Sequence, residues 1–160
     1  MTSIPNAVRA QLADLLETAP VNVAEAAKRL GLAVFERDLA KGVSGVLLHD
    51  ATYETPSKFV ILVDDSESYV RQRFTAAHEI GHFVLHKDQI KNGVTDNYLL
   101  RSDGFSTLSE QQANRFAADL LMPFPLVEKL INSGIKDLPA LARELQVSEI
   151  AMAIRLGHPT

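Results

Sequence analysis

Five consecutive residues constrain this chain more than any others: His78, Glu79, Ile80, Gly81 and His82, within R-Q-R-F-T-A-A-H-E-I-G-H-F-V-L-H-K from Arg71 to Lys87. On an α-helix, residues four apart lie roughly 6 Å apart along the axis and nearly in line. His78 and His82 can then turn both imidazoles to one metal ion. Glu79 stands about 100° round the helix from His78, so its carboxylate can meet a water on that metal without ligating it. This is the zinc hydrolase arrangement, with the glutamate as general base toward a metal-polarised water. A chain of this composition would contain the spacing by accident about once in a hundred cases, so the surroundings must decide. Phe74, Ala77, Ile80, Gly81, Val84 and Leu85 recur at three and four residues, which is a buried helical face. Gly81 costs a helix about 1 kcal/mol relative to Ala and is tolerated best where a second backbone comes close. The competing reading is a core helix with two partly satisfied histidines.

Composition narrows the chemistry. The 160 residues are 46% hydrophobic and 22% charged, enough for one ordinary globular core. The net charge of −4 suggests no polyanion-binding surface over the whole molecule. There are no cysteines, so disulfides, iron–sulfur clusters and thiolate zinc sites are excluded, and a metal must use His, Asp or Glu. No basic-then-apolar leader and no apolar run near 18 residues is present, so a cytoplasmic protein without membrane contact is expected.

In chain order, Ile4 to Glu17 reads as a short helix ended by Pro20, and Asn22 caps a second helix, Val23 to Leu30, closed by Gly31. Leu32–Glu36, Val43–His49 and Lys58–Val63 read as strands, the last two joined by a hairpin-type turn containing Pro56. Asp64, Asp65 and Ser66 offer acceptors to the start of the central helix. Asp88 to Thr107 reads as a long polar loop with Tyr98, Leu99 and Leu100 inside it, a candidate mobile lid. Ser109 to Met122 is the second principal helix, with Ala113 and Ala117 allowing close approach to a neighbour. Pro125–Asn132, Leu138–Gln146 and Ser148–Leu156 are further helices. The expected class is α+β: a minimal zincin-like fold, a small three-stranded, mostly antiparallel sheet packed on a helical bundle that contains the His-Glu-x-x-His helix.

A hydrolytic zinc needs a third protein ligand and an open position. His86 is nearest in sequence, but on an unbroken helix it lies roughly 12 Å along the axis from His78. It shares their face and could stand behind the site or face substrate, or simply complement the helix dipole. Glu110 is the stronger candidate, in the first turn of a helix that can cross the metal helix through its alanines. Thr107-x-x-Glu110 also fits a capping box, as does Ser109-x-x-Gln112, so ligand and cap both remain open for Glu110. Asp119 and Glu144 are weaker alternatives.

R-Q-R-F-T-A-A-H-E-I-G-H-F-V-L-H followed by E-Q-Q-A-N-R-F-A-A-D-L-L-M-P resembles the ImmA/IrrE family of metallo-endopeptidases. The likeness extends more weakly from about Asn22 to the ending L-A-R-E-L-Q-V-S-E-I-A-M-A-I-R-L. The resemblance implies one zinc ion per chain held by His78, His82 and Glu110, with Glu79 as catalytic base. Asn114, one turn on from Glu110, would orient its carboxylate, and Gln112 stands where many relatives carry a second glutamate. Tyr98 and His86 are further candidates for facing the substrate. The whole chain, 1–160, is then expected to be one metallopeptidase domain: N-terminal helices 1–31, sheet 32–63, metal-site helices 64–123 and C-terminal helices 124–160.

The resemblance also implies the role. Such a protein cleaves or inactivates a helix-turn-helix repressor in a stress-response, phage or toxin–antitoxin-like module. Substrate would add as an extended segment to a sheet edge, with Val43 to Leu48 as the expected edge. The alternative is a metal-stapled module that sequesters a repressor without cutting it, although an intact Glu79 has no purpose there. Direct DNA binding through Leu138–Leu156 is not expected, because Lys136, Arg143 and Arg155 are balanced by Asp137, Glu144 and Glu149.

Overall fold

The computed structural model describes residues 2–91, 97–101 and 106–158, with the side chains of 89–91 and 97–101 excepted. The N-terminal segment forms a short helix, α1 (Asn6–Leu12), and a separate 3₁₀ turn, Leu15–Glu17, instead of one continuous helix. Helix α2 (Val23–Arg29) starts as the sequence predicts: the Asn22 side chain accepts from the Glu25 amide. Its chain reverses at Gly31, where φ is +87°, a value that favours glycine.

Strands β1 (Val34–Arg37), β2 (Gly45–Asp50) and β3 (Phe59–Asp64) follow, close to the expected bounds. β2 and β3 pair antiparallel with Val46 opposite Leu62, and β1 pairs parallel with β3, Val34 beside Ile61. A fourth strand, β4 (Asn97–Arg101), lies antiparallel on the other side of β2, giving the order β1-β3-β2-β4. The sheet is therefore mostly antiparallel, as expected, but one strand larger.

The fourth strand corrects two expectations. Residues 88–107 are not one continuous loop: the central helix runs on to Lys91, and Asn97–Arg101 joins the sheet. The remainder, 92–96 and 102–105, lies outside the described residues, and so does the lid expectation that depends on it. Nor is Val43–Leu48 an edge, because β2 has β3 on one side and β4 on the other. Among the described residues, the outer sides of β1 and β4 have no strand partner.

Alternation sorts the sheet's residues between two cores. Leu47, Phe59, Ile61 and Val63 join the main core with the helices. Val46, Val60 and Leu62 pack on the opposite face with Phe35, Leu39 and Tyr53. β3 is buried along its whole length because both its faces are covered.

Helix α3 (Tyr69–Lys91) carries the His-Glu-x-x-His stretch across the sheet. Its start is capped by Ser68, whose Oγ accepts from the Arg71 amide. Asp64, expected in that role, instead accepts from the Leu39 amide and the Ser66 hydroxyl. The buried Arg73 donates to the carbonyls of Val21, Leu145 and Gln146, tying α3 to the segments on either side of it. Helix α4 (Thr107–Leu121) crosses α3, followed by α5 (Phe124–Asn132), α6 (Leu138–Leu145) and α7 (Glu149–Arg155). Asp137 and Ser148 cap α6 and α7 through the Ala140 and Ala151 amides. No helix among the described residues is long and apolar enough to cross a membrane.

The crossing of α3 and α4 explains Gly81. A Cβ there would stand 3.1 Å from Phe116 Cβ and 3.2 Å from both Cα and O of Ala113. The last two are helix backbone and cannot move aside alone. Gly81→Val is therefore expected to destabilise the protein by about 1–3 kcal/mol through overpacking, in addition to its poorer helix propensity. Urea denaturation measures this; an unchanged midpoint would mean that the two helices are not in backbone contact.

Candidate metal centre

Four side chains from α3 and α4 converge where the helices cross. His78 and His82 point from successive turns of α3, with ring centroids 4.7 Å apart and planes at 87°. Glu110 faces them from the first turn of α4: its Oε1 is 2.7 Å from His82 Nε2 and its Oε2 is 3.3 Å from His78 Nε2. Glu79, fully buried, brings a carboxylate oxygen within 4.8 Å of one ring nitrogen of each histidine.

The N-terminal cap of α4 is Ser106, not a pattern that includes Glu110. The helix begins at Thr107, two residues before the expected start, and the Ser106 hydroxyl accepts from the Ser109 amide. Neither expected capping box forms. Ser106 supplies the cap, and the Glu110 carboxylate turns to the histidines instead.

Asn114, expected to orient Glu110, turns its Oδ1 to His78, 2.8 Å from Nδ1. His86, buried at 3% exposure, faces neither solvent nor the cleft; its Nδ1 is 2.9 Å from His82 Nδ1 and its Nε2 is 2.8 Å from Gln112 Oε1. Tyr98 is placed by its backbone alone, opposite His49 in the β2–β4 ladder, and its side chain lies outside the described residues. Asp119, a weaker candidate ligand, is occupied elsewhere: it accepts from Ser3 and pairs with Arg155 at 2.8 Å.

The electrostatics favour a cation. Burial pushes the His78 imidazole below its usual range; the bond to Asn114 opposes this, and Arg71 and His86 add to it. Burial, reinforced by His78 and His86, pushes His82 down to about 3. Both rings are therefore neutral near pH 7. A neutral His78 that donates through Nδ1 to Asn114 has its lone pair on Nε2. That buried atom makes no hydrogen bond and looks at a carboxylate oxygen 3.3 Å away. An acceptor facing an acceptor at that distance is unfavourable unless a cation lies between them. Two imidazole nitrogens and a carboxylate are a donor set that zinc accepts. The residues present fit the metal.

A cleft of about 320 Å³ opens beside the cluster. It is lined by Gly42–Gly45 from the segment entering β2, by Arg71, Phe74, Thr75 and His78 from α3, and by Glu110 and Asn114 from α4. Gly45 lets the strand lie directly on α3, since a Cβ there would collide with Thr75 Cγ2 and stand 3.7 Å from Glu79 Cγ. Val43–Gly45 begin the stretch expected to receive substrate as a sheet edge, whereas the structure places them as lining of the cleft beside the histidines. Their signal in the sequence is the pair of glycines in K-G-V-S-G, Gly42 and Gly45.

One other carboxylate group converges among the described residues: Asp38, Asp64 and Asp65. Asp64 is engaged in closing the turn into α3, through Leu39 and Ser66.

Residues 27–157 match the family model described as the IrrE N-terminal-like domain. The chain is 32% identical over 160 aligned residues to the radiation response metalloprotease IrrE of Deinococcus deserti, an alignment taking in 91% of this chain and 56% of that protein. It is 27% identical over 111 residues to the metallopeptidase ImmA of Bacillus subtilis, covering 69% of this chain and 57% of that protein. The chain thus spans somewhat over half the length of these two curated relatives. A Mycobacterium tuberculosis transcriptional regulator of known structure shares the fold, with a TM-score of 0.56 at 21% identity over 85% of this chain and 40% of that one.

Neutral buried histidines make the metal-free protein sensitive to acid. The unfolded chain binds protons near the ordinary histidine pKa of about 6.5, whereas the folded chain resists them, so stability falls as pH drops below that value. For His82 the loss continues until its folded value of about 3 is reached. Thermal unfolding of chelator-treated protein from pH 7 to 4 is expected to show this decline, and His82→Leu should flatten it. Equal slopes in the two proteins would place His82 in a solvated site.

Proposed function

The chain belongs to the family of the IrrE N-terminal-like domain, and from that premise we propose that it is a zinc-dependent endopeptidase. His78, His82 and Glu110 hold the zinc, and Glu79 is the general base. The observation that carries this reading is the buried His78 Nε2, which faces a carboxylate oxygen with no hydrogen bond of its own beside an intact Glu79.

Bound there, zinc would supply Lewis acidity to a water and to the carbonyl of the bond to be cut. The chain supplies the rest. The Glu79 carboxylate takes the proton of the attacking water and returns it to the leaving amide nitrogen. Glu79 is fully buried, and the Gly45 backbone lies close enough that a Cβ there would stand 3.7 Å from Glu79 Cγ. A peptide lying in the cleft would run past Gly42–Gly45, His78, Glu110 and Asn114. The open side of β4 is the sheet edge next to β2 to which an extended segment could add.

The substrate we assign is a helix-turn-helix repressor, the partner class implied by the family resemblance, in a stress-response, phage or toxin–antitoxin-like module. Two curated relatives carry the names metalloprotease and metallopeptidase, and the first is named for a radiation response. We assign the work to the cytoplasm, where such a repressor acts, and assign no direct contact with DNA or membrane.

The test is cleavage of a repressor encoded beside the gene, followed by mass spectrometry of the fragments. Glu79→Gln is expected to keep zinc and partner binding and to lose cleavage by about 10²–10⁴-fold. If wild type silences the repressor without cutting it and Glu79→Gln does so equally well, the protein is a sequestering module. Glu110→Gln is expected to lower zinc content; unchanged tight binding would remove Glu110 from the ligand set.

A further inference from the structure

His78 and His82 are both buried, but they are held from behind in different ways. His78 meets a carboxamide directly, Asn114 Oδ1 at 2.8 Å. His82 meets a second histidine, His86, at 2.9 Å between their Nδ1 atoms, and His86 in turn meets Gln112 Oε1 at 2.8 Å through Nε2. The chain of contacts runs along one turn of α3 and crosses to α4.

Proton counting along it gives a direction. A carboxamide oxygen only accepts, so His86 in its neutral form carries its proton on Nε2 and donates to Gln112. Its Nδ1 then holds a lone pair, which accepts from Nδ1–H of His82. A neutral imidazole has one ring proton, so His82 Nε2 is left with a lone pair facing Glu110 Oε1 at 2.7 Å, two acceptors that a cation between them reconciles. We infer that Gln112, acting through His86, fixes His82 in the Nδ1–H tautomer that a metal requires, making Gln112 and His86 positioning residues for the metal centre. The inference rests on the zinc reading of the site.

This gives Gln112 a role in place of a second glutamate. It stands two residues from Glu110 on an exposed position of α4, with its Oε1 on His86. It accounts as well for a fully buried His82 next to a nearly buried His86 in a chain with only five histidines. The two carboxamides, Asn114 and Gln112, do one task for two ligands. His82 needs the intervening ring because its Nδ1 points along α3 toward the next turn and not across to α4.

Zinc affinity by chelator competition tests the inference without reference to activity. Gln112→Met keeps the length of the side chain and removes the acceptor; it is expected to weaken zinc binding by about 10- to 100-fold, the usual effect of losing a partner behind a ligand. His86→Leu should do the same. His86→Asn puts an amide oxygen where Nδ1 stood and should recover most of the loss. Gln111→Met, one residue away and exposed, should change nothing. In ¹⁵N-labelled zinc-loaded protein, a through-hydrogen-bond coupling between the Nδ1 atoms of His82 and His86 is expected, and Gln112→Met should diminish it. Zinc binding by Gln112→Met as tight as by wild type, with the coupling absent from both, would overturn the relay and leave the zinc site standing. Failure of wild type to take up zinc at all would overturn both. Because position 112 is exposed, Gln112→Met keeps the test alive even if His86→Leu does not fold.

Discussion

At Gly81 the backbones of α3 and α4 come into contact, and every distance in the metal centre follows from that approach. A side chain at 81 would meet Ala113 Cα and O at 3.2 Å. Small residues on both helices let Glu110, one turn before Ala113, stand within 2.7 Å of His82. Asn114 and Gln112, on either side of Ala113, reach the far faces of His78 and His86. Separating the helices by the width of a methyl group would loosen all three contacts together. The cost of a glycine in mid-helix, about 1 kcal/mol, is offset by a site that no single helix could build.

The two sides of that contact were not equally legible in the sequence. The spacing of His78, Glu79 and His82 fixes their geometry wherever a helix forms, and the apolar face from Phe74 to Leu85 makes the helix. Glu110 was different. Its local sequence fits a helix cap as well as a ligand, because Thr107 and Ser109 both offer capping patterns. The three-dimensional start of α4 gives the cap to Ser106 and leaves the Glu110 carboxylate beside His78 and His82. The relay through His86 was similarly out of reach. Helical spacing showed that His86 shares a face with the ligands but not that its ring turns back onto His82.

The sheet shows another limit. β1, β2 and β3 announce themselves through β-branched and apolar runs, and their bounds fall within a few residues of expectation. β4 has only Tyr98, Leu99 and Leu100 within a polar stretch, and such a segment becomes a strand by pairing with β2, not by local preference. Its presence moves the open edge of the sheet from β2 to β4. The hairpin of β2 and β3 was readable, whereas the parallel pairing of β1 with β3 depends on a crossover that local sequence does not specify.

The central claim is that two histidines and one carboxylate bind zinc while a third histidine, one turn away, does not. X-ray absorption at the zinc edge of the loaded protein tests it most directly. The account predicts a four-coordinate ion with two imidazoles at about 2.0–2.1 Å and oxygen ligands completing the shell. Three imidazoles in the shell would bring His86 onto the metal and contradict both the ligand set and the relay; no imidazole at all would contradict the site.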